Sequence, residues 1–419
     1  LVMDVGPGDD IAVRDLDMLA APLDLTLVRE IFGDSSPPPP WDGTVRGRLR
    51  ASGGPLTSWR IDPSTIVFTD RRVGTAESRF TIAGTMDLLA VETIFKPLDI
   101  RIDSMDVRTA GGVTDIADSL RGYLTGRVQL VGPLDDFRFR DLDLVHVDGD
   151  LPRSHVRGEG RIAEDESKVW LEARLALDTV GVASFGRAFS PEELAGTLHG
   201  SVEVAVIRDS TALSLVLGGE AGDLVFNGAT TMDTSRLVMQ GELALWDFDA
   251  RKLLPAMALP PHAITAHATL GIDGPWEEPT GPVEFTIDSS STIGSVAFQE
   301  ARGSIALEAG GLRIDTLVAR GPIGQLSARG RLSRDPAMRD TVRFSVDLDS
   351  ISRLVGFLPD SLATAWADSL RGRARLSGVA LGSLDTMDVR AILAADSLQA
   401  GSYGVRRIDA DLLLDGVPS

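Results

Sequence analysis

Apolar and polar residues alternate with a period of two along most of the chain. Val342, Phe344, Val346 and Leu348 alternate with Arg343, Ser345, Asp347 and Asp349. Val283, Phe285 and Ile287 alternate with Glu284, Thr286 and Asp288, and Val45, Gly47, Leu49 and Ala51 with Arg46, Arg48 and Arg50. Further on, Ile408, Ala410, Leu412 and Leu414 alternate with Arg407, Asp409, Asp411 and Asp415, broken only by Leu413. Successive side chains of a strand point to opposite faces, so each run predicts a strand with one apolar and one charged face. Antiparallel sheets carry this pattern, whereas parallel strands covered on both faces read as continuous apolar runs. Gly53-Gly54-Pro55, Gly132-Pro133, Asp148-Gly149, Gly218-Gly219, Gly274-Pro275 and Gly310-Gly311 supply turns between the runs.

A longer unit overlies the strands. Helical stretches are predicted at 23–32, 114–120, 182–194, 251–259 and 351–370. Each leads to a strand start: Gly43 to Gly47, Gly122 to Gly126, Gly196 to Gly200, Ile264 to Ala268 (without the glycines) and Gly372 to Leu376. These starts are 79, 74, 68 and 108 residues apart, so the period is loose. Ala117-Asp118-Ser119-Leu120-Arg121-Gly122 recurs as Ala367-Asp368-Ser369-Leu370-Arg371-Gly372. In the last helical stretch Ile351, Leu354, Val355 and Leu358 share a face and Pro359 ends the segment. Such helices are expected to cap the sheet by packing. The resulting division is 1–41 (the end of a preceding repeat), 42–113, 114–181, 182–250, 251–350 and a truncated 351–419, within one elongated domain.

Composition sharpens the picture. Hydrophobic residues make up 43% of the chain but aromatic ones only 5%, with 43 Gly and 22 Pro. This suits a thin sheet with many turns better than a thick core. At roughly a dozen residues per strand, on the order of 28 strands are expected. A net charge of −20 sets nucleic acid aside, because phosphate neutralisation needs a basic face. The lack of Cys excludes disulfides and thiolate metal sites. The chain starts at Leu1 and stops just after a strand-like run, so it reads as a piece of a longer protein. No stretch is apolar for the length a membrane helix needs, and membrane contact is expected through parts outside this chain.

Candidate chemistry is sparse. His262 and His267 are five apart, off the helical spacing of a zinc pair, and follow Pro260-Pro261. His199 adjoins Gly200 in a repeat strand. Gly158-Glu159-Gly160 lies within an alternating run with no helix after it, and reads as strand glycine rather than a dinucleotide fingerprint. Gly181 to Gly186 is one residue too long for a nucleophile elbow. Asp141-Leu142-Asp143 and Asp347-Leu348-Asp349 pair carboxylates, but on alternating strands they read as a solvated face. Asp148-Gly149-Asp150 lacks the oxygen ladder of a calcium loop. No catalytic residue, metal ligand or cofactor is assigned, and an enzyme is the least favoured class.

The repeated unit of helix, glycine-flanked strand start and alternating strands resembles the AsmA-like superfamily, and within it the TamB type. Glycine-rich returns carry the same likeness, as in Ser154-His155-Val156-Arg157-Gly158-Glu159-Gly160 and Gly324-Gln325-Leu326-Ser327-Ala328-Arg329-Gly330. The resemblance implies a long antiparallel sheet curled into a taco-like apolar groove, with short helices inserted at each repeat. It implies phospholipid acyl chains as ligand and passage between inner and outer membranes. An outer-membrane β-barrel assembly protein is the implied partner. The implied location is the periplasm of a diderm bacterium, with an inner-membrane anchor preceding this chain. On apolarity alone, Val45, Leu49, Phe285, Ile287, Ile305, Leu307, Phe344, Val346, Leu348, Ile408 and Leu412 are the expected groove lining. The alternative reading is a closed extracellular or periplasmic β-repeat scaffold with a dry core that binds protein partners.

Overall fold

A computed structural model describes residues 2–5, 11–26, 42–53, 58–72, 77–87, 94–111, 121–165, 168–184, 194–207, 210–233, 236–256, 259, 261–275, 278–294, 296–322, 324–335, 340–349, 370–383, 386–400 and 403–418. Strands hold 82% of these residues, and 23 of them belong to an antiparallel sheet that is not closed. The chain divides into two compact units, residues 1–209 with 215–220 and 252–257, and residues 210–214 with 221–251 and 258–419.

In the first unit the strands are β1 Val2–Val5, β2 Ile11–Asp24, β3 Gly43–Gly53, β4 Trp59–Asp70, β5 Glu77–Asp87, β6 Ile94–Asp106, β7 Tyr123–Pro133, β8 Asp136–Val147, β9 Ser154–Asp165, β10 Lys168–Gly181 and β11 Thr197–Ile207. Each pairs antiparallel with the next. A five-residue helix, α1 (Val107–Gly111), follows β6. Strand β12 is Ser210–Gly219. The second unit holds β13 Gly222–Asp233, β14 Arg236–Phe248, β15 His262–Pro275, β16 Gly281–Ile287, β17 Thr292–Ile293, β18 Val296–Ala297, β19 Glu300–Glu308, β20 Gly311–Gly321, β21 Gly324–Ser333, β22 Asp340–Leu348, β23 Leu370–Gly382, β24 Thr386–Ala400 and β25 Tyr403–Pro418. Neighbours pair in order, except that β16 skips the short β17–β18 hairpin to reach β19.

The predicted helices fare differently. Residues 114–120 and 27–32, most of 182–194 and all of 351–369 lie outside the described residues. Leu23 and Asp24 end β2, and Leu370 begins β23, rather than belonging to helices, whereas Leu25 and Thr26 and residues Val182 to Ser184 are helical. Among the described residues of 251–259 a 3-10 turn, Ala250–Lys252, forms in place of a helix; Pro255 lacks the amide donor that a helix there would need.

Bulges keep the alternation on one face. Asp141 adopts φ +48° where the β7–β8 and β8–β9 registers shift, and the extra residue lets apolar side chains on either side point the same way. Glycine is required at Gly126, with φ +148°: a Cβ there would lie 1.9 Å from the Asp143 carbonyl oxygen. Gly47, the matching glycine of the first repeat, has φ +147°.

Three strand ends share one cap. Asp70, Asp106 and Asp249 each accept the backbone N–H of the residue two positions on, an arginine, and its guanidinium binds back to both carboxylate oxygens. The Asp70 side chain is fully buried in this clasp. A buried carboxylate is tolerated because both its oxygens accept hydrogen bonds and its charge is paired with the guanidinium.

Candidate functional site

Register partners share a sheet face, so the pairing decides which side chains lie together. In the second unit one row of partners runs Phe226, Leu243, Ala268, Phe285, Gly303, Leu317, Ala328, Phe344, Gly378, Ala391 and Leu412. The next row runs Leu224, Leu245, Ala266, Ile287, Ala301, Ala319, Leu326, Val346, Leu376, Leu393 and Ala410. A third joins Val283, Ile305, Ile314, Gly330, Val342, Ala380, Val389 and Leu414. None of these positions carries a charge.

The first unit repeats the arrangement. One row runs Ala20, Gly47, Ile66, Phe80, Ile102, Gly126, Leu144, Val156, Leu177 and Gly200. Beside it run Leu16, Ala51, Ile61, Gly84, Leu98, Leu130, Phe139, Gly160, Ala173 and Val204.

All eleven expected lining residues fall on these faces. Val45 and Leu49 lie on the apolar face of β3, in the first unit. The other nine lie together on the second unit's face, on β16, β19, β22 and β25. Most are half-buried, and Ile408 and Leu412 remain 36% and 39% exposed.

Packing within the face is shallow. The buried apolar clusters are small: Ala51, Ile61, Phe95 and Leu98 in the first unit, and Leu332, Val342 and Ala380 in the second. The side chains buried most completely are instead Asp70 and six serines. Large residues face small ones. The Phe285 ring lies over Gly303, where an added Cβ would come within 2.5 Å of its Cζ, and Phe139 covers Gly160 in the same way. Phe95 and Phe137, two strands apart, meet edge to face at 6.1 Å; their nearest neighbour on β7 is Gly132, opposite Phe95.

The opposite face is a ladder of charge. Arg48 binds Asp17, Arg161 binds Asp136 and Arg375 binds Asp347, each across neighbouring strands, and Arg46 on β3 reaches over β4 to Glu77 on β5. These contacts hold the carboxyls of Asp17 and Asp136 below the usual range, chiefly through the arginine hydrogen bonds. His155 stands between Asp143 at 2.8 Å and Asp178 at 2.9 Å, one on each ring nitrogen. The carboxylates flank the ring rather than converging, and among the described residues no cluster has the geometry of a metal site. His262 accepts the Ala250 N–H at 2.8 Å beside the Asp249 clasp, while the His267 ring packs edge-on against Trp246 at 6.0 Å. Gly158 and Gly160 are strand glycines of β9, and Asp143 and Asp347 sit on the charged face.

No protein-family model, no curated protein and no solved structure matches this chain.

Proposed function

We propose that the protein is a non-enzymatic carrier surface for lipid, in which phospholipid acyl chains lie along the apolar sheet face and headgroups stay in water. The observation that carries this reading is the charge-free sequence of register rows in the second unit, eleven strands wide, in which Phe226 and several alanines are buried but most of the larger side chains are only half-buried. A half-exposed Leu, Ile or Val forgoes about 1 kcal/mol of burial. Repeated over three rows, that is a strong drive to cover the face. Acyl chains suit a surface that is apolar, continuous and without specific polar contacts. Protein side chains of a tight partner would bring matching polar groups at intervals.

The AsmA-like resemblance fits the same reading, with passage between two membranes of a diderm envelope as its setting. A taco-like curl of the sheet would give the chains a trough. The test is photo-crosslinking from single positions on β16. A photoreactive residue at 287 should capture phospholipid in cells, and one at 286, on the charged face, should not. Equal capture from both positions, or from neither, would refute the proposal.

A further inference from the structure

Among the described residues, four pairs of arginines stand directly opposite each other on neighbouring strands: Arg101 and Arg127, Arg138 and Arg161, Arg313 and Arg331, and Arg329 and Arg343. Like charges placed this way destabilise a sheet, with Cβ atoms about 5 Å apart. In three pairs the fold supplies a carboxylate. Asp103 binds Arg101 at 3.0 Å and Asp143 lies 3.7 Å from Arg127. Asp136 binds Arg161 at 2.6 Å. Glu308 spans the third pair, at 2.9 Å from Arg313 and 2.8 Å from Arg331. Among the described residues no carboxylate pairs with Arg329 or Arg343.

That pair borders a hollow of about 630 Å³ over β20, β21 and β22, which Arg313, Arg331, Asp315, Asp340 and Thr341 also line, together with Ile314 and Gly330 between them. Asp315 is engaged by Arg313 at 2.8 Å, and Asp340 lies 4.0 Å from Arg331. On the far side of Arg343 the neighbour is Val379, which is uncharged. Counting Glu308, four guanidiniums thus stand against three carboxylates, all three of which lie against Arg313 or Arg331, in a chain whose net charge is −20.

We propose that this hollow binds a phosphate group, held between Arg329 and Arg343 as Glu308 is held between Arg313 and Arg331. Guanidinium forks match phosphate oxygens bidentately, and the Thr341 hydroxyl is placed to donate a further bond. The hollow opens on the face opposite the apolar rows. Its ligand is therefore not the headgroup of a lipid lying on those rows, and the inference stands whether or not they carry lipid. The phosphate belongs either to a soluble compound or to a headgroup of a membrane facing the charged side.

The experiment measures pyrophosphate binding to the whole chain by calorimetry at fixed ionic strength, beside flotation with phosphatidylglycerol and phosphatidylcholine vesicles. Pyrophosphate binding that Arg329→Gln and Arg343→Gln each weaken about tenfold, and that Arg407→Gln leaves unchanged, supports the site with a soluble source. Flotation with phosphatidylglycerol alone, lost in the same two variants, supports it with a headgroup source. In chloride buffer Arg329→Gln should melt no lower than the parent, because it removes a repulsion. No binding of either probe, binding unaffected by both substitutions, or a lower melting point of Arg329→Gln in chloride would each overturn the proposal.

Discussion

Val346→Asp and Ser345→Asp place the same charge on adjacent residues of β22, on opposite faces of the sheet. Val346 sits in the middle of an apolar row, between Leu326 and Leu376. Ser345 lies between Ser327 and Ser377 on the charged side. Covering a half-exposed valine with an acyl chain gains about 1 kcal/mol, and a carboxylate set against hydrocarbon costs roughly a further 2.5–3.5 kcal/mol. Together these amount to about 4 kcal/mol, a loss approaching a thousandfold in affinity. Water reaching an open face reduces this, so at least about a tenfold loss is expected for Val346→Asp. Ser345→Asp should leave lipid uptake unchanged. Because position 346 is half-exposed in the lipid-free sheet, its own stability should fall by only about 1 kcal/mol. The assay is uptake of a fluorescent phospholipid from donor vesicles, with circular dichroism to confirm the sheet in both variants. Equal uptake by the two variants would refute the assignment of faces.

Three further outcomes follow from the geometry. Gly126→Ala drives a Cβ into the Asp143 carbonyl, 1.9 Å away, at a φ of +148°; it should cost about 2 kcal/mol or more, read as faster amide exchange in β7 and β8 than in β9 and β10. Gly303→Ala displaces the Phe285 ring and should cost about 1–3 kcal/mol, seen as a lower urea midpoint that Phe285→Leu partly restores. The Asp249 carboxyl is lowered to about 2, chiefly by the Arg251 hydrogen bond, from an unfolded value near 3.9. Its stabilisation is therefore complete above about pH 4 and disappears as pH falls through about 2. Urea midpoints should drop more steeply over that window in the parent than in Asp249→Asn, and parallel curves would contradict the clasp.

Much of the sheet was legible because its signal is local. The alternation in 342–348 and 281–287 needs only the two-residue period of a strand, and it places Phe344 with Val346, and Phe285 with Ile287, on one side of their own strands. That these strands share one face is not local information. It depends on register, which bulges such as the one at Asp141 reset by a single residue. The same limit hid the ion-pair ladder: nothing in the order of residues joins Arg375 to Asp347 or sets Arg329 against Arg343. The clasp was readable but missed. An Asp two residues before an Arg, where an alternating run stops, occurs at Asp70, Asp106 and Asp249. Helical periodicity misled at 251–256, where apolar spacing was outweighed by Pro255.

The central claim is that the apolar face carries lipid, and native mass spectrometry of the purified chain with extraction of bound lipid tests it most directly. The account predicts several phospholipids per chain. A monodisperse, lipid-free chain that also fails to take up a fluorescent phospholipid would contradict it and point to a closed scaffold with a dry face.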